Sequence, residues 1–226
     1  MLIKIDDLLS RDEMIRAREL LAHADWRSGL ATAGLQAARV KNNQQLADDA
    51  PQLPVLRQLV LAALERNALF FSATLPLKIL PPFFNRYAGR SNAYGFHVDN
   101  AVRQNDGGYL VRADVSATLF LNDPADYEGG ELIIEDTFGK HAVKLAAGSL
   151  VIYPSSSIHA VAPVTRGERI ACFMFIQSMV RDVGQRRILY DMDMALLRLR
   201  QDFGEIDAVI RLTAIYHNLL RQWAEI

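Results

Sequence analysis

Cysteine is nearly absent. Cys172 is the only one in 226 residues, so no intrachain disulfide can form, and a reducing compartment, the cytoplasm, is expected. Long apolar runs are also missing. The longest, such as LVLAAL from Leu59 and SLVIYP around Val151, fall far short of the roughly 20 residues of a membrane span. No membrane insertion is expected, and MLIKIDDLLSRDE carries no cleavable signal pattern. Neither charge sign dominates: 25 Lys and Arg face 26 Asp and Glu, scattered along the chain, for a net charge of -1. Without a basic stripe, nucleic acid is not an expected partner. There is no internal repeat and no low-complexity segment. What remains is a half-hydrophobic chain long enough for one core with appended helices, but hardly for two independent domains.

The pattern changes twice along the chain. Ser10-Arg11-Asp12-Glu13 has the form of a capping box, and Met14, Ala17, Leu20 and Leu21 follow at helical spacing. A polar stretch, 41–49, leads to a second expected helix from about Pro51 to Arg66, with Leu53, Leu56, Leu59, Val60 and Leu64 inward. Pro81-Pro82 stops helix, and short strand-like segments follow. RADVSATLFLN alternates and then turns apolar. ELIIED and HAVKL read as a hairpin through Thr137-Phe138-Gly139-Lys140, and HAVAPV turns at Thr165-Arg166-Gly167 into ERIACFMFIQ. Many short strands with Gly-rich turns predict a sandwich or barrel. From Arg181 the helical period returns, and Ile206, Val209, Ile210, Thr213 and His217 are expected on one face of the last helix. Leu212, Ile215 and Leu219 add a second apolar face, which predicts a buried helix or one packed on a second subunit. Three regions result: helical support over 1–75, a β-core over 76–178 and a helical region over 179–226. The fold class is mainly β with flanking helices.

The chemistry is carried by YGFHVDN. Residues i and i+2 of a strand face the same side, so His97 and Asp99 project together and Val98 projects opposite. Alone, H-x-D more often marks an Asp hydrogen-bonded to a neighbouring His. Two features shift the balance. SSSIHAVAPVTRGERIA supplies a second strand histidine, His159, and then Arg169 across a turn. Two His and one carboxylate form the facial triad of non-haem Fe(II) oxygenases, with open positions for a bidentate 2-oxo acid and O2. The fork of Arg169 suits the far carboxylate of that acid. For His159 and Arg169 to share a face, a hairpin between them needs an odd register or a bulge, which Gly167 permits. The plain alternative for Arg169 is a surface salt bridge. His23, at the end of the first helix, is read as a favourably placed cation and His141 as an exposed turn neighbour. His217 is read as packing or hydrogen bonding, Cys172 as a buried thiol, and Asp114 as a second partner or a plain strand acid outside the metal set.

FNRY, YGFHVDNAVR, the long run 112–182 and the terminal YHNLLRQWAEI resemble the PKHD-type hydroxylases, bacterial dioxygenases related to prolyl and lysyl hydroxylases. The resemblance covers nearly the whole chain. It implies a double-stranded β-helix, or jelly roll, with His97, Asp99 and His159 as iron ligands. Arg169 would bind the side-chain carboxylate of 2-oxoglutarate, and Tyr87 would contact the same co-substrate. It implies hydroxylation of an unactivated C–H bond with release of succinate and CO2, and ascorbate as reductant. The substrate would be a peptidyl residue or a small metabolite, and relatives associated with iron uptake suggest a siderophore pathway or an outer-membrane receptor partner. Two rivals stand beside it: a zinc hydrolase and a non-enzymatic jelly-roll sensor. Neither needs Arg169, and neither releases succinate. The turn-rich loops 102–108 and 123–130 are the expected gates of the pocket. A homodimer through the helical regions is the remaining expectation.

Overall fold

The computed structural model describes residues 1–32, 36–104 and 107–226. The N-terminal region holds strand β1 (Ile3–Ile5), helix α1 (Arg11–Ala22), β2 (Trp26–Ser28), β3 (Lys41–Asn42), β4 (Gln44–Leu46), α2 (Leu53–Glu65) and α3 (Ala68–Thr74). The β-core follows with β5 (Pro76–Ile79), β6 (Phe83–Ala88), β7 (Ala93–His97), β8 (Val102–Gln104), β9 (Leu110–Arg112) and β10 (Val115–Phe120). It continues through β11 (Glu128–Gly129), β12 (Leu132–Asp136), β13 (Gly139–Val143), β14 (Leu150–Pro154), β15 (His159–Val161), β16 (Val164–Arg166) and β17 (Glu168–Ser178). Helices α4 (Val183–Phe203) and α5 (Asp207–Trp223) close the chain.

Two antiparallel sheets face each other, a jelly-roll core. One runs β1-β14-β10-β17-β6-β4-β2, with β5 also on β17; the other runs β13-β12-β15-β7-β3. The long β17 is central because its middle is apolar on both faces, Cys172, Met174 and Ile176 on one and Ala171 and Phe175 on the other. Its outer face packs on α1 and α2, whose Met14, Ala17, Leu56, Val60 and Leu64 join the same cluster. Helix α1 starts as the sequence predicts: Ser10 Oγ accepts from the Glu13 amide, and Glu13 accepts from the Ser10 amide at 2.8 Å. The predicted second helix is α2, and the β12–β13 hairpin forms with Asp136 opposite Gly139.

Three readings are corrected by the structure. The region read as helical support also delivers four strands, of which β3 and β4 come from the polar stretch 41–49. No hairpin joins His159 to Arg169: β15 pairs with β12 and β7 in one sheet, and β17 lies in the other. Of the predicted α5 stripe, Val209 does face inward; it packs with Tyr216, Leu219, Leu220 and Trp223 on Leu189 and Leu196 of α4. Ile206, Ile210, Ile215 and His217 are exposed, because one neighbouring helix covers only one face. Among the described residues, no helix is long and apolar enough to cross a membrane.

Candidate metal centre

Between the sheets lies a recess of about 600 Å³, counted out to its open mouth. Alternation along β7 builds one wall: His97 and Asp99 turn inward while Phe96 and Val98 are 44% and 45% exposed. His159 sits on β15 directly opposite His97 in the register. Ligating atoms of His97, Asp99 and His159 all lie within 4.8 Å of one another, and His159 Nε2 is 3.7 Å from Asp99 Oδ2.

The two imidazoles are fixed by the same local device. His97 Nδ1 donates to the Gly95 carbonyl at 2.8 Å, and His159 Nδ1 donates to the Ser157 carbonyl at 3.0 Å. A carbonyl can only accept, so Nδ1 carries the proton in each ring and Nε2 keeps its lone pair for a metal. Tyr94 stacks on His97 with centroids 3.6 Å apart, and Tyr153 meets His159 edge-on. Burial first, and His159 second, push the His97 imidazole down to about 4, which keeps it neutral. Asp99 accepts from Ser116 Oγ at 2.7 Å, and Ser155 donates in turn to Ser116. A hydroxyl chain thus holds the carboxylate.

Arg169 and Tyr87 face the same recess from the opposite sheet. They are register partners on β17 and β6. Arg169 is 1% exposed, with its guanidinium 5.3 Å from the Tyr87 ring and 5.2 Å from the Phe120 ring. None of its three nitrogens has a hydrogen-bond partner among the described residues. Nor is it a surface salt bridge; it is Arg86 that pairs with Glu168. A buried cation without an anion costs several kcal/mol, on the order of 3 to 5 when its partner is missing, while each cation–π contact offsets about 1 to 2. The arrangement therefore calls for an anionic guest. The donor set fits a divalent metal with N/O preference beside a dicarboxylate.

The other sequence candidates lie elsewhere. His23 caps α1 and is exposed, and His141 is exposed and 2.9 Å from Asp136. Cys172 is fully buried in the helix-side core, and burial pushes its thiol far up. Asp114 accepts from Arg112 Nε at 2.7 Å and from the Ser178 amide, a structural role. In loop 123–130, Pro124, Ala125, Asp126 and Glu128 are exposed, while Tyr127 is 2% exposed and Gly130 is so close to Arg169 that a Cβ there would come 3.1 Å from Arg169 Cδ. In the other loop, Asn105 and Asp106 lie outside the described residues. Sequence reasoning missed Lys41, Asn43, Tyr94, Arg103 and Ser116, all of which line the recess. Ser116 and Thr118 were findable, as polar residues on an otherwise apolar central strand.

Residues 82–177 match the 2OG-Fe(II) oxygenase superfamily, and 184–225 match the PKHD-type hydroxylase C-terminal domain. The chain is 69% identical to a PKHD-type hydroxylase of Nitrosomonas eutropha and 66% identical to one of Azoarcus sp., over 226 residues and 100% of both chains in each case. In fold it is similar to a prolyl hydroxylase from Trichoplax adhaerens, solved in complex with a hypoxia inducible factor oxygen degradation domain peptide fragment. That match has a TM-score of 0.54 and 15% identity, and it covers 83% of this chain and 86% of the other. HygX from Streptomyces hygroscopicus, solved with nickel and 2-oxoglutarate bound, gives a TM-score of 0.53 at 15% identity, over 80% of this chain and 84% of the other.

Proposed function

The chain belongs to the PKHD-type hydroxylases of the 2OG-Fe(II) oxygenase superfamily and is a 2-oxoglutarate-dependent dioxygenase; from that premise we propose which residues do the work. His97, Asp99 and His159 hold the Fe(II). Arg169, with Tyr87, holds the far carboxylate of 2-oxoglutarate. The product is a hydroxylated C–H position on a peptidyl or small-molecule substrate. The observation that carries this assignment is the unpartnered Arg169 guanidinium in the same recess as the three ligating side chains.

When bound, the metal with its co-substrate supplies the O2-derived oxidant, with succinate and CO2 as co-products. The protein's part is orientation. The Nδ1–H bonds leave the Nε2 lone pair of each ring for the metal, and Ser116 fixes the Asp99 oxygen. With three protein ligands, a metal held there would keep positions open for the 2-oxo acid and O2. Arg169 fixes the acid's other end, so its reacting end is presented in one orientation. Ascorbate as reductant and a cytoplasmic setting belong to the same reading; the lone buried thiol supports the latter. So do an oxygenase unit over 76–178 and supporting regions over 1–75, part helix and part strand, and over 179–226. A homodimer would use the exposed Ile206, Ile210 and Ile215, and sedimentation showing only monomer would remove it. The zinc-hydrolase alternative is not supported by a base among the described residues: no Glu of theirs lines the recess, and of their histidines only the two in the cluster do.

Succinate release from 2-oxoglutarate tests the assignment. Fe(II)-dependent succinate release is expected, abolished in His159→Ala and restored only at higher 2-oxoglutarate in Arg169→Gln. Unchanged succinate release in His159→Ala would refute the ligand set.

A further inference from the structure

Of the described residues that line the recess, four are part exposed, Tyr94, Asp99, Arg103 and Phe173, and the others are buried. Its mouth is therefore one candidate metal ligand, two aromatic rings and one guanidinium. The rings belong to a longer row. On the inner face of β17, Phe173 and Phe175 follow Arg169 and Ala171 at alternate positions. Phe175 is the register partner of Ser116, whose hydroxyl holds Asp99. Phe173 is the register partner of Phe83 on β6. Phe175 meets Phe173 edge-on with centroids 5.9 Å apart, and Phe173 stacks on Phe83 at 5.3 Å. Exposure rises along the row, from 2% at Phe175 to part exposure at Phe173 and Phe83. An aromatic shelf thus runs from beside a metal ligand out to the surface. Arg103 extends it, with its guanidinium 3.9 Å from the Phe175 ring centroid. From the facing sheet Tyr94, stacked on His97, gives the mouth a second aromatic wall. The Arg169 end is closed: Arg169 and Tyr87 are both fully buried. Core packing explains a buried Phe175. It does not explain why Phe173, Phe83 and Tyr94 stay part exposed around one opening.

We infer that the substrate presents an aromatic ring, which enters between Tyr94 and the Phe173 shelf and brings a C–H bond beside it to the metal. The inference rests on the oxygenase reading above and adds the substrate class to it. The two ends of the recess then divide the work: the closed end takes the co-substrate at Arg169, and the open end takes the ring. Binding sites for organic ligands are lined mainly by apolar and aromatic groups with a few polar ones, as this mouth is. Aromatic pairs in stacked and edge-on geometry gain more than the area they bury, so the shelf favours an aromatic ring over an aliphatic one of the same size.

The test needs no turnover. The full-length protein is loaded with Mn(II) and 2-oxoglutarate under nitrogen. Benzamide, N-acetylphenylalaninamide, cyclohexanecarboxamide and acetamide are then titrated separately. Calorimetry gives each affinity, and the relaxation that Mn(II) induces in the probe's protons shows whether it sits beside the metal. At least one of the two aromatic probes should bind with enhanced ring-proton relaxation, and which one binds tells a free ring from one carried on a peptide. Cyclohexanecarboxamide should bind about three-fold more weakly than benzamide or less, and acetamide should not bind. Phe173→Ala should weaken the aromatic probe by about ten-fold, and Phe173→Leu, which keeps the bulk and removes the ring, by about three-fold. Failure of both aromatic probes to bind overturns the inference. So does cyclohexanecarboxamide binding equal to benzamide, ring protons that Mn(II) leaves unrelaxed, or unchanged affinity in Phe173→Leu. These outcomes hold whether or not Phe173→Ala folds. If the parent protein shows no metal-dependent 2-oxoglutarate binding, the oxygenase assignment fails at that earlier step and takes this inference with it.

Discussion

Single residues decide this site through what they lack. Arg169 is buried without an anion, and the desolvation of its charge outweighs two cation–π contacts. Arg169→Met keeps most of the volume and removes the charge. In the ligand-free protein it should raise the melting temperature, and it should abolish the upward shift that 2-oxoglutarate gives with metal. A lower melting temperature in Arg169→Met would mean that the guanidinium is already well satisfied. His97 makes a pH prediction. Its folded value, about 4, lies below the ordinary 6.5. Above 6.5 both folded and unfolded chains are neutral there. As pH falls from 6.5 toward 4, the unfolded chain takes a proton that the folded chain refuses, so stability drops. Urea denaturation of the metal-free protein at pH 7 and at about pH 5 should show that loss, and His97→Gln should reduce it. Equal losses in both proteins would remove His97 as the cause. These residues were legible in the sequence because H-x-D and the later His and Arg are unusual residue types on apolar strands. Lys41, Asn43 and Gln45 were not. Their strands turn polar side chains inward, the reverse of the usual alternation, so a search for apolar period reads them as loop.

At the scale of elements, the recess depends on how the chain leaves one sheet for the other. After β15 it crosses through β16 and enters β17 at Gly167, whose φ is +74°. A Cβ there would come 2.2 Å from the Asp126 carbonyl oxygen. Gly167→Ala should therefore cost more than about 2 kcal/mol, from backbone strain and the clash together. Because Arg169 starts the same strand, 2-oxoglutarate affinity should fall with it. A neutral result in both denaturation and binding would show that the crossing is free to move. Turn chemistry identified Gly167 in the sequence, but its purpose was misread. Strand pattern gives direction and face, whereas which strands pair is set by contacts far apart in the chain, and two facing sheets remove the need for a bulged hairpin. The short α3 escaped for a similar reason: its run ALFFSAT is too brief for a helical period to emerge.

The whole molecule places two sheets face to face, with α1 and α2 behind one of them and α4 and α5 tied to its β17 end. The Glu225 amide donates to Met179, and Arg112 bridges Asp114 and Glu225. The helices α1 and α2, the run of strands after them and the two closing helices were readable as changes of period along the chain. The threading of N-terminal strands into both sheets was not, since it rests on pairings such as Ile3 with Ile152 and Lys41 with Tyr94. In the proposed site the inter-sheet recess joins a metal on His97, Asp99 and His159 to a 2-oxo acid anchored by Arg169. Its most direct test is an anaerobic titration followed by visible absorption, adding Fe(II) and then 2-oxoglutarate to the apo-protein, His159→Ala and Arg169→Ala. A new metal-to-ligand charge-transfer band is expected in the parent protein, absent in His159→Ala and weakened in Arg169→Ala. No band in the parent protein, or the same band in His159→Ala, would contradict the proposed site.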